Sequence, residues 1–187
     1  MDPTSELVQR CLDGDTGAFE RLVREHMNTV LGLAYHYVGD FSVAEDVAQE
    51  TFVQAFQSMN RLRNGARFKV WLLKIARNKC IDSLRRNPRM VPLEGNKDVE
   101  REILLKSAAP HVDPPYEFTE DDLVDALKFL RPDYREIFVL KHVDNLSYKE
   151  ISEILGMTVS AVGEKLYRVR SMLRERLENR KLGSNQS

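Results

Sequence analysis

Apolar residues recur three and four positions apart along most of the chain, and no stretch alternates apolar and polar residues with the β-branched enrichment of a strand. This pattern predicts an all-α protein. Two helix starts have capping-box spacing, in which a hydroxyl and a carboxylate satisfy each other's backbone donors: Ser42 with Glu45, and Ser147 with Glu150. The spacing predicts helices over residues 4–12, 16–38, 42–59, 66–86, 120–130, 132–143, 147–154 and 158–178.

The helical periodicity fades between about residues 87 and 115, where five prolines interrupt any continuous helix. A structureless stretch of this length is uncommon within one compact domain. Since 187 residues suffice for two small domains, we expect two helical domains joined by a flexible acidic linker. The predicted boundaries are 1–87 for the first domain, 88–118 for the linker and 119–187 for the second domain.

The patterns of membrane, secreted and catalytic proteins are missing from the sequence. It has no run of about 18 apolar residues, and its start lacks the basic and apolar segments of a signal peptide, which predicts a cytoplasmic protein. Cys11 and Cys80 are too few for a disulfide framework and do not have zinc-ligand spacing. The four histidines are scattered, without a nucleophile motif or a glycine-rich phosphate loop. We therefore expect no enzyme, catalytic residue, metal, cofactor or small-molecule substrate.

A net charge of -1 conceals a strong segregation of charge along the chain. Residues 61–89 hold ten basic side chains against one acidic, a balance of +9, and residues 159–181 hold seven against three, or +4. Residues 94–125 hold three basic against ten acidic, or -7. Dense basic blocks attract polyanions because each neutralised phosphate releases counterions. One such block could be a solvated helix face; two, each overlapping a structural motif, favour nucleic acid.

The C-terminal basic block lies in a helix, a tight turn at Gly156 and a second helix, the pattern of a helix-turn-helix. The alternative for this segment is a helical hairpin with solvated arginines. A buried side is predicted from Ile151, Ile154 and Leu155 of the first helix and from Val159, Val162, Leu166, Val169 and Leu173 of the second. The polar side, which would meet base edges or phosphates, offers Ser160, Gly163, Glu164, Lys165, Tyr167, Arg168 and Arg170.

The helix predicted to begin at Ser42 has an unusual outer side. Its buried side is predicted to comprise Ala44, Val47, Ala48, Phe52, Ala55 and Met59. The opposite side mixes acidic, amide and apolar residues: Asp46, Gln49, Glu50, Val53 and Gln57, with Phe56 on its flank. Such a face suits a protein partner with basic residues, although an ordinary surface with one exposed Phe is the alternative.

The basic stretch 61–86 interleaves aromatic residues with Lys and Arg, which suits single-stranded nucleic acid. Phe68 and Trp71 share a helical stripe with Leu72 and Ile75, so we expect these rings to be core rather than stacking platforms. The surface Lys, Arg and Asn side chains would then make the contacts.

These motifs, in this order and at these distances, resemble an extracytoplasmic-function (ECF) sigma factor of bacterial RNA polymerase. The resemblance covers most of the chain. It rests on Asp13-Gly14-Asp15 with Ala18-Phe19, the run from Ala44 to Phe52, Phe68 with Trp71-Leu72, Ile75-Ala76, Asn78 and Asp82, and the helix-turn-helix.

The resemblance implies a sigma factor that binds core RNA polymerase and directs it to specific promoters. The outer side of the helix starting at Ser42 would dock on the β′ clamp helices, and the β flap would be a second contact. A loop would capture a flipped base of the melted non-template strand at the minus-ten element, and the basic helix would hold that strand. The implied minus-ten residues are Leu62, Arg63, Asn64, Gly65, Ala66, Arg67, Lys74, Arg77, Asn78, Arg85 and Arg86.

The resemblance further implies that the second domain reads the minus-thirty-five element as duplex DNA. The acidic linker would thread through the polymerase, and an anti-sigma factor, often membrane-anchored in this family, would be a partner. Ser160–Lys165 departs from the family's Gly-Thr-Val-Lys/Arg-Ser/Thr-Arg pattern: Gly163 replaces a basic residue, and Glu164 can accept a hydrogen bond from cytosine N4. This predicts an altered minus-thirty-five preference. A free-standing repressor or activator is the alternative, but it leaves the N-terminal motifs unexplained.

Overall fold

The computed structural model of the chain describes residues 2–86 and 129–184. Within them it has seven α-helices, short 3₁₀ and π segments and no β-strand, which confirms the all-α prediction. The chain divides into two compact units, Met1–Ser107 and Ala108–Ser187. The predicted linker 88–118 lies outside the described residues, as does the predicted helix 120–130 except for residues 129 and 130, which form a turn and a bend.

Four α-helices build the described part of the first unit. Helices α2, α3 and α4 pack on one another, and α1 lies across α2 and the second of two 3₁₀ turns that join α3 to α4. Phe68 is fully buried with Leu22, Leu33 and Leu72, as its apolar stripe predicts, whereas Trp71 is half-buried. The elements are α1 Pro3–Leu12, α2 Thr16–Val38, α3 Phe41–Ser58, the 3₁₀ turns Met59–Arg61 and Gly65–Arg67, and α4 Phe68–Arg86.

Aspartates, not serines, cap the first three helices. Asp2, Asp15 and Asp40 each accept a hydrogen bond from a backbone N–H in the first turn, Asp40 from Val43 at 3.0 Å. The predicted Ser42–Glu45 capping box is therefore wrong. Helix α2 ends on Gly39 in the left-handed conformation, and the chain re-enters a helix after Asp40 alone, so Ser42 already lies inside the first turn of α3.

This difference gives a paired prediction. Replacing Asp40 by Ala leaves the Val43 N–H without its partner and should lower the free energy of unfolding by about 1 kcal/mol. Replacing Ser42 by Ala should change it by only a few tenths of a kcal/mol. Urea unfolding followed by the fluorescence of Trp71, the one tryptophan of the chain, reports on this unit. Equal losses in the two variants would contradict the assignment of Asp40 as the cap.

The second unit contains two helices that are joined by a turn at Gly156. The predicted capping box at its centre is confirmed: Glu150 Oε2 accepts from the Ser147 N–H at 2.8 Å, and Ser147 Oγ accepts from the Glu150 N–H at 3.3 Å. The core contains Ile137, Leu140 and Ile151. Its elements are α5 Pro132–Phe138, a π turn Val139–Val143, α6 Tyr148–Leu155 and α7 Val159–Ser184.

The predicted continuous helix over residues 132–143 changes character at residue 139. There the backbone widens to a π turn, with the Asp144 N–H donating to the Val139 carbonyl at 3.1 Å. After the π turn, the Leu146 N–H donates a hydrogen bond to the Leu140 carbonyl, and Lys141 Nζ donates one to the Leu146 carbonyl. These hydrogen bonds join the end of the helix to the loop that leads into α6. The periodicity of apolar residues does not predict such an arrangement.

Candidate protein- and nucleic-acid-binding surfaces

The outer side of α3 is exposed as predicted, and the opposite side, from Ala44 to Met59, is buried. An open groove follows most of it and is lined also by Arg61 and Lys79. Val53 is 56% and Phe56 50% exposed, and the Phe56 ring meets the Phe19 ring edge-on with centroids 4.9 Å apart. We call the following set the acidic face: Asp46, Gln49, Glu50, Val53, Phe56 and Gln57.

One carboxylate connects the acidic face to the basic helix α4. Glu50 Oε2 lies 3.3 Å from Lys79 Nζ and 3.9 Å from Arg86 Nη2. All three side chains are partly exposed, so these ion pairs stabilise the unit only weakly. The sequence assigned Glu50 to a protein partner and Arg86 to DNA without indicating that they meet. It did not single out Lys79 either, although Lys79 belongs to the +9 block.

The loop between α3 and α4 is built by Asn64. Its Oδ1 accepts from the Ala66 N–H and its carbonyl accepts from the Arg67 N–H, both at 3.0 Å. This turn leaves Arg63, Asn64 and Ala66 exposed, while Leu62, Gly65 and Arg67 are half-buried. The exposed backbone and side-chain groups therefore sit at the tip of a short, internally hydrogen-bonded turn.

Gly65 has a second role that local spacing does not reveal. A Cβ at this position would lie 2.8 Å from Ser5 Cα and 3.2 Å from Ser5 Cβ. The turn therefore touches the backbone of α1, and only glycine permits that approach.

The candidate minus-ten residues of α4 fall on two sides of the helix. Lys74, Asn78 and Arg85, spaced by four and seven residues, share one exposed stripe. Arg77 lies beside it, half-buried. Arg86 lies on the side that meets Glu50. The basic helix thus presents one row of positive and amide side chains away from α3 and a second basic edge toward it.

The first turns of α7 carry the candidate minus-thirty-five residues. Ser160, Glu164, Arg168 and Arg170 are exposed, as is Tyr167 at 74%. A hydrogen bond to Tyr134 raises the pKa of the Arg168 guanidinium. Gly163 is half-buried, with its open side at the edge of the Tyr148 ring.

Lys165 is directed at α5, as Arg168 is, and it forms an ion pair there. Its Nζ lies 2.8 Å from Asp133 Oδ2 and 5.5 Å from the centre of the Tyr134 ring. Burial works to raise the pKa of Asp133, but hydrogen bonds from Lys165 and Arg131 outweigh it and hold that pKa below its usual value. The structure thus engages Lys165 in an ion pair within the unit.

The prediction that Val159 belongs to the buried stripe of α7 is wrong. Val162, Leu166, Val169 and Leu173 are buried, but 47% of Val159 is exposed. Val159 is the first residue of α7, directly after the turn, and so stands at the end of the stripe. It lines an open groove with Tyr148, Ser160, Gly163, Glu164, Tyr167 and Arg168.

Two histidines are held neutral by their surroundings. Burial, reinforced by the charges of Arg170 and Lys141, lowers the pKa of His142 to about 4. Burial also lowers the pKa of His26, which lies against the Phe68 ring. In the described part of the chain, no three His, Cys, Asp or Glu side chains are arranged to hold a metal ion. No helix in that part is long and apolar enough to span a bilayer.

Comparison with known proteins decides the family. Residues 22–90 match Sigma-70 region 2, and residues 120–173 match Sigma-70 region 4. The ECF RNA polymerase sigma factor SigE of Mycolicibacterium smegmatis is 34% identical, over 95% of this chain and 70% of that protein. The RNA polymerase sigma factor CarQ of Myxococcus xanthus is also 34% identical, over 91% of this chain and 95% of that protein. The chain belongs to the ECF sigma factor family.

Solved structures share its fold. CnrH, in complex with the cytosolic domain of CnrY, superimposes with a TM-score of 0.69 at 23% identity, over 95% of this chain and 99% of that one. The sigma factor RpoE from Bartonella quintana, in complex with the anti-sigma factor NepR, superimposes with a TM-score of 0.63 at 23% identity, over 86% and 96%.

Membership of the family settles the broad function. As an ECF sigma factor, the chain directs RNA polymerase to promoters. The match to region 2 covers the motifs from Ala44 to Asp82, which a free-standing helix-turn-helix regulator leaves unexplained. Its named relatives are RNA polymerase sigma factors.

Proposed function

We propose that this sigma factor docks on the polymerase through the acidic face and reads its promoter in two states. The first unit would hold the minus-ten element as a melted non-template strand, and the second would read the minus-thirty-five element as duplex. The observation that carries this proposal is the contact of Glu50 with Lys79 and Arg86. At this contact the acidic face, which suits a protein partner, adjoins the basic helix α4, which suits phosphates, within one small unit.

Docking would combine charge with apolar burial. Asp46 and Glu50 would pair with basic side chains of the β′ clamp helices, while Val53 and Phe56 would lose their exposure to water. The β flap is the proposed second polymerase contact, through the second unit. Such an arrangement combines a central apolar contact with charged groups that fix its orientation.

At the minus-ten element, the turn from Leu62 to Arg67 would receive a flipped base at its exposed tip. Lys74, Asn78 and Arg85 form a stripe that can follow the phosphates of the same strand. The buried Phe68 would support the turn from below rather than stack on a base.

At the minus-thirty-five element, the first turns of α7 would enter the major groove. Ser160, Glu164 and Arg168 succeed one another at intervals of four residues and offer hydrogen-bonding groups to base edges, while Arg170 is placed for a phosphate. Lys165 would have a different task from the one its sequence suggests, since its ion pair with Asp133 fastens α7 to α5.

An anti-sigma factor is a further proposed partner. The exposed Val53 and Phe56 offer it an apolar anchor, and the surrounding carboxylates offer charges. A protein seated there would exclude the polymerase from the acidic face.

Run-off transcription on a promoter library, with core polymerase and with or without this protein, tests the proposal. Initiation should depend on the protein, and the selected promoters should share two blocks of preferred bases, near minus ten and minus thirty-five. Binding to duplex DNA without any protein-dependent initiation would instead indicate a free-standing regulator.

A further inference from the structure

The face of α7 proposed to enter the major groove carries an apolar row with a gap in it. Val159, Gly163 and Tyr167 follow one another at intervals of four residues and therefore lie along one side of the helix. Val159 and Tyr167 are exposed, and the position between them has no side chain. The gap opens into the groove that these three residues line with Tyr148.

The floor of the gap is the edge of an aromatic ring. A Cβ on Gly163 would lie 3.7 Å from Tyr148 Cε2 and 4.0 Å from Cδ2, which is ordinary van der Waals contact. Because glycine leaves this position empty, a methyl group of another molecule can approach from the groove and contact both the Gly163 backbone and the ring edge. Tyr148 is itself held from another side, with Lys141 Nζ 5.7 Å from its ring centre. The result is a shallow recess that Val159 and Tyr167 flank along the helix.

A second, polar row runs beside the apolar one. Ser160, Glu164 and Arg168 lie one position further along the chain than the three residues of the apolar row. A group that enters the recess must therefore be apolar and methyl-sized, and must sit beside hydrogen-bonding groups. Among the groups that unmodified base pairs expose in the major groove, the thymine C5-methyl fits that description.

We propose that the Gly163 recess receives a thymine methyl of the minus-thirty-five element. The inference rests on the proposed function of the second unit and adds a base identity to it. Glu164 beside the recess would accept a hydrogen bond from an amino group, adenine N6 or cytosine N4, because its carboxylate repels the O4 acceptor of thymine. The departure of residues 160–165 from the family pattern then has a physical meaning: a basic side chain is exchanged for a site that reads a methyl group.

Deoxyuridine substitution tests the inference, because deoxyuridine lacks only the methyl group of thymidine. After the preferred minus-thirty-five sequence has been selected with core polymerase, each thymine on either strand is replaced singly, and competition for initiation is measured. We expect one replacement to weaken competition by about fourfold, the value for one buried methylene-sized group. No effect at any thymine, or a preferred element without thymine, would overturn the inference.

Gly163→Ala locates the effect. Its Cβ fills the recess without a clash, so thymine and deoxyuridine promoters should compete equally for the initiation that the variant supports. Met172→Ala is the matched control, since Met172 is exposed and nine residues away, half a turn round the helix. The control should keep the fourfold preference. A preference that survives in Gly163→Ala would place the methyl contact elsewhere and overturn the proposal.

The failure of the proposed function gives a different result. If initiation does not depend on the protein at all, both the proposed function and this inference fall. If initiation depends on it but is indifferent to every methyl group, only the recess is excluded.

Discussion

Replacement of Asp46 and Glu50 by Lys is expected to lower protein-dependent initiation at least about 100-fold. Both residues are exposed on the acidic face, and their reversal places two like charges against the basic surface proposed for the polymerase. Val53 and Phe56 remain in place, so the loss reports on charge rather than on apolar contact. The measurement is run-off transcription from one selected promoter over a range of protein concentrations.

Two controls separate docking from other effects of charge. Glu20 and Glu25 are exposed on α2, and their double reversal gives the same change in net charge. That variant should initiate normally. Binding of single-stranded DNA by the Asp46 and Glu50 variant should be unchanged or stronger, because the protein has become more positive. Equal loss of initiation in the α2 control would contradict a specific role for the acidic face.

Glu50 needs a further variant because it also has partners within the unit. Glu50→Gln removes the ion pairs with Lys79 and Arg86 without creating a positive charge. If docking depends on this carboxylate, Glu50→Gln should lower initiation less than Glu50→Lys alone does, and it should release Lys79 and Arg86 for contact with the DNA strand. Comparison of the two variants therefore divides the effect between lost attraction and new repulsion.

What could be predicted from the sequence is what local spacing determines. The buried side of α3 and the buried residues of α7 from Val162 onward follow from a repeat of 3.6 residues, and the structure confirms them. The Ser147–Glu150 capping box and the Gly156 turn are also local, and both are present. Even here the helix ends differ from the prediction: Asp40 displaces Ser42 as the cap, and Val159, the first residue of α7, is exposed.

What could not be predicted depends on residues far apart in the sequence. The charge of Lys165 placed it among DNA contacts, but its direction is set by Asp133, 32 residues earlier. Glu50 and Lys79 meet across 29 residues. A single sequence contains no signal for such pairs, since each partner is also compatible with an exposed surface.

Gly65 is the clearest of these cases, and its substitution has the second large effect that we expect. In the sequence, Asn64-Gly65 indicates only a turn before a helix. In the structure, an added Cβ would come within 2.8 Å of Ser5 Cα. Gly65→Ala should therefore force α1 and the turn apart and lower the free energy of unfolding by about 1 to 3 kcal/mol. Urea unfolding followed by Trp71 fluorescence measures it.

Two companion variants make the cause of this loss testable. Ser5→Gly should fail to restore Gly65→Ala, because the nearest atom is the Ser5 backbone Cα rather than its side chain. Full restoration would contradict a backbone contact. Gly163→Ala makes the same chemical change inside helix α7, where the added Cβ would lie 3.7 Å from its nearest neighbour, Tyr148 Cε2. Because alanine has a higher helix propensity than glycine, this variant should stabilise the second unit by up to about 1 kcal/mol. If glycine-to-alanine replacement lowers the free energy of unfolding at Gly65 but raises it at Gly163, the close approach of α1 determines the effect at Gly65. The change of residue type by itself would then not explain the loss.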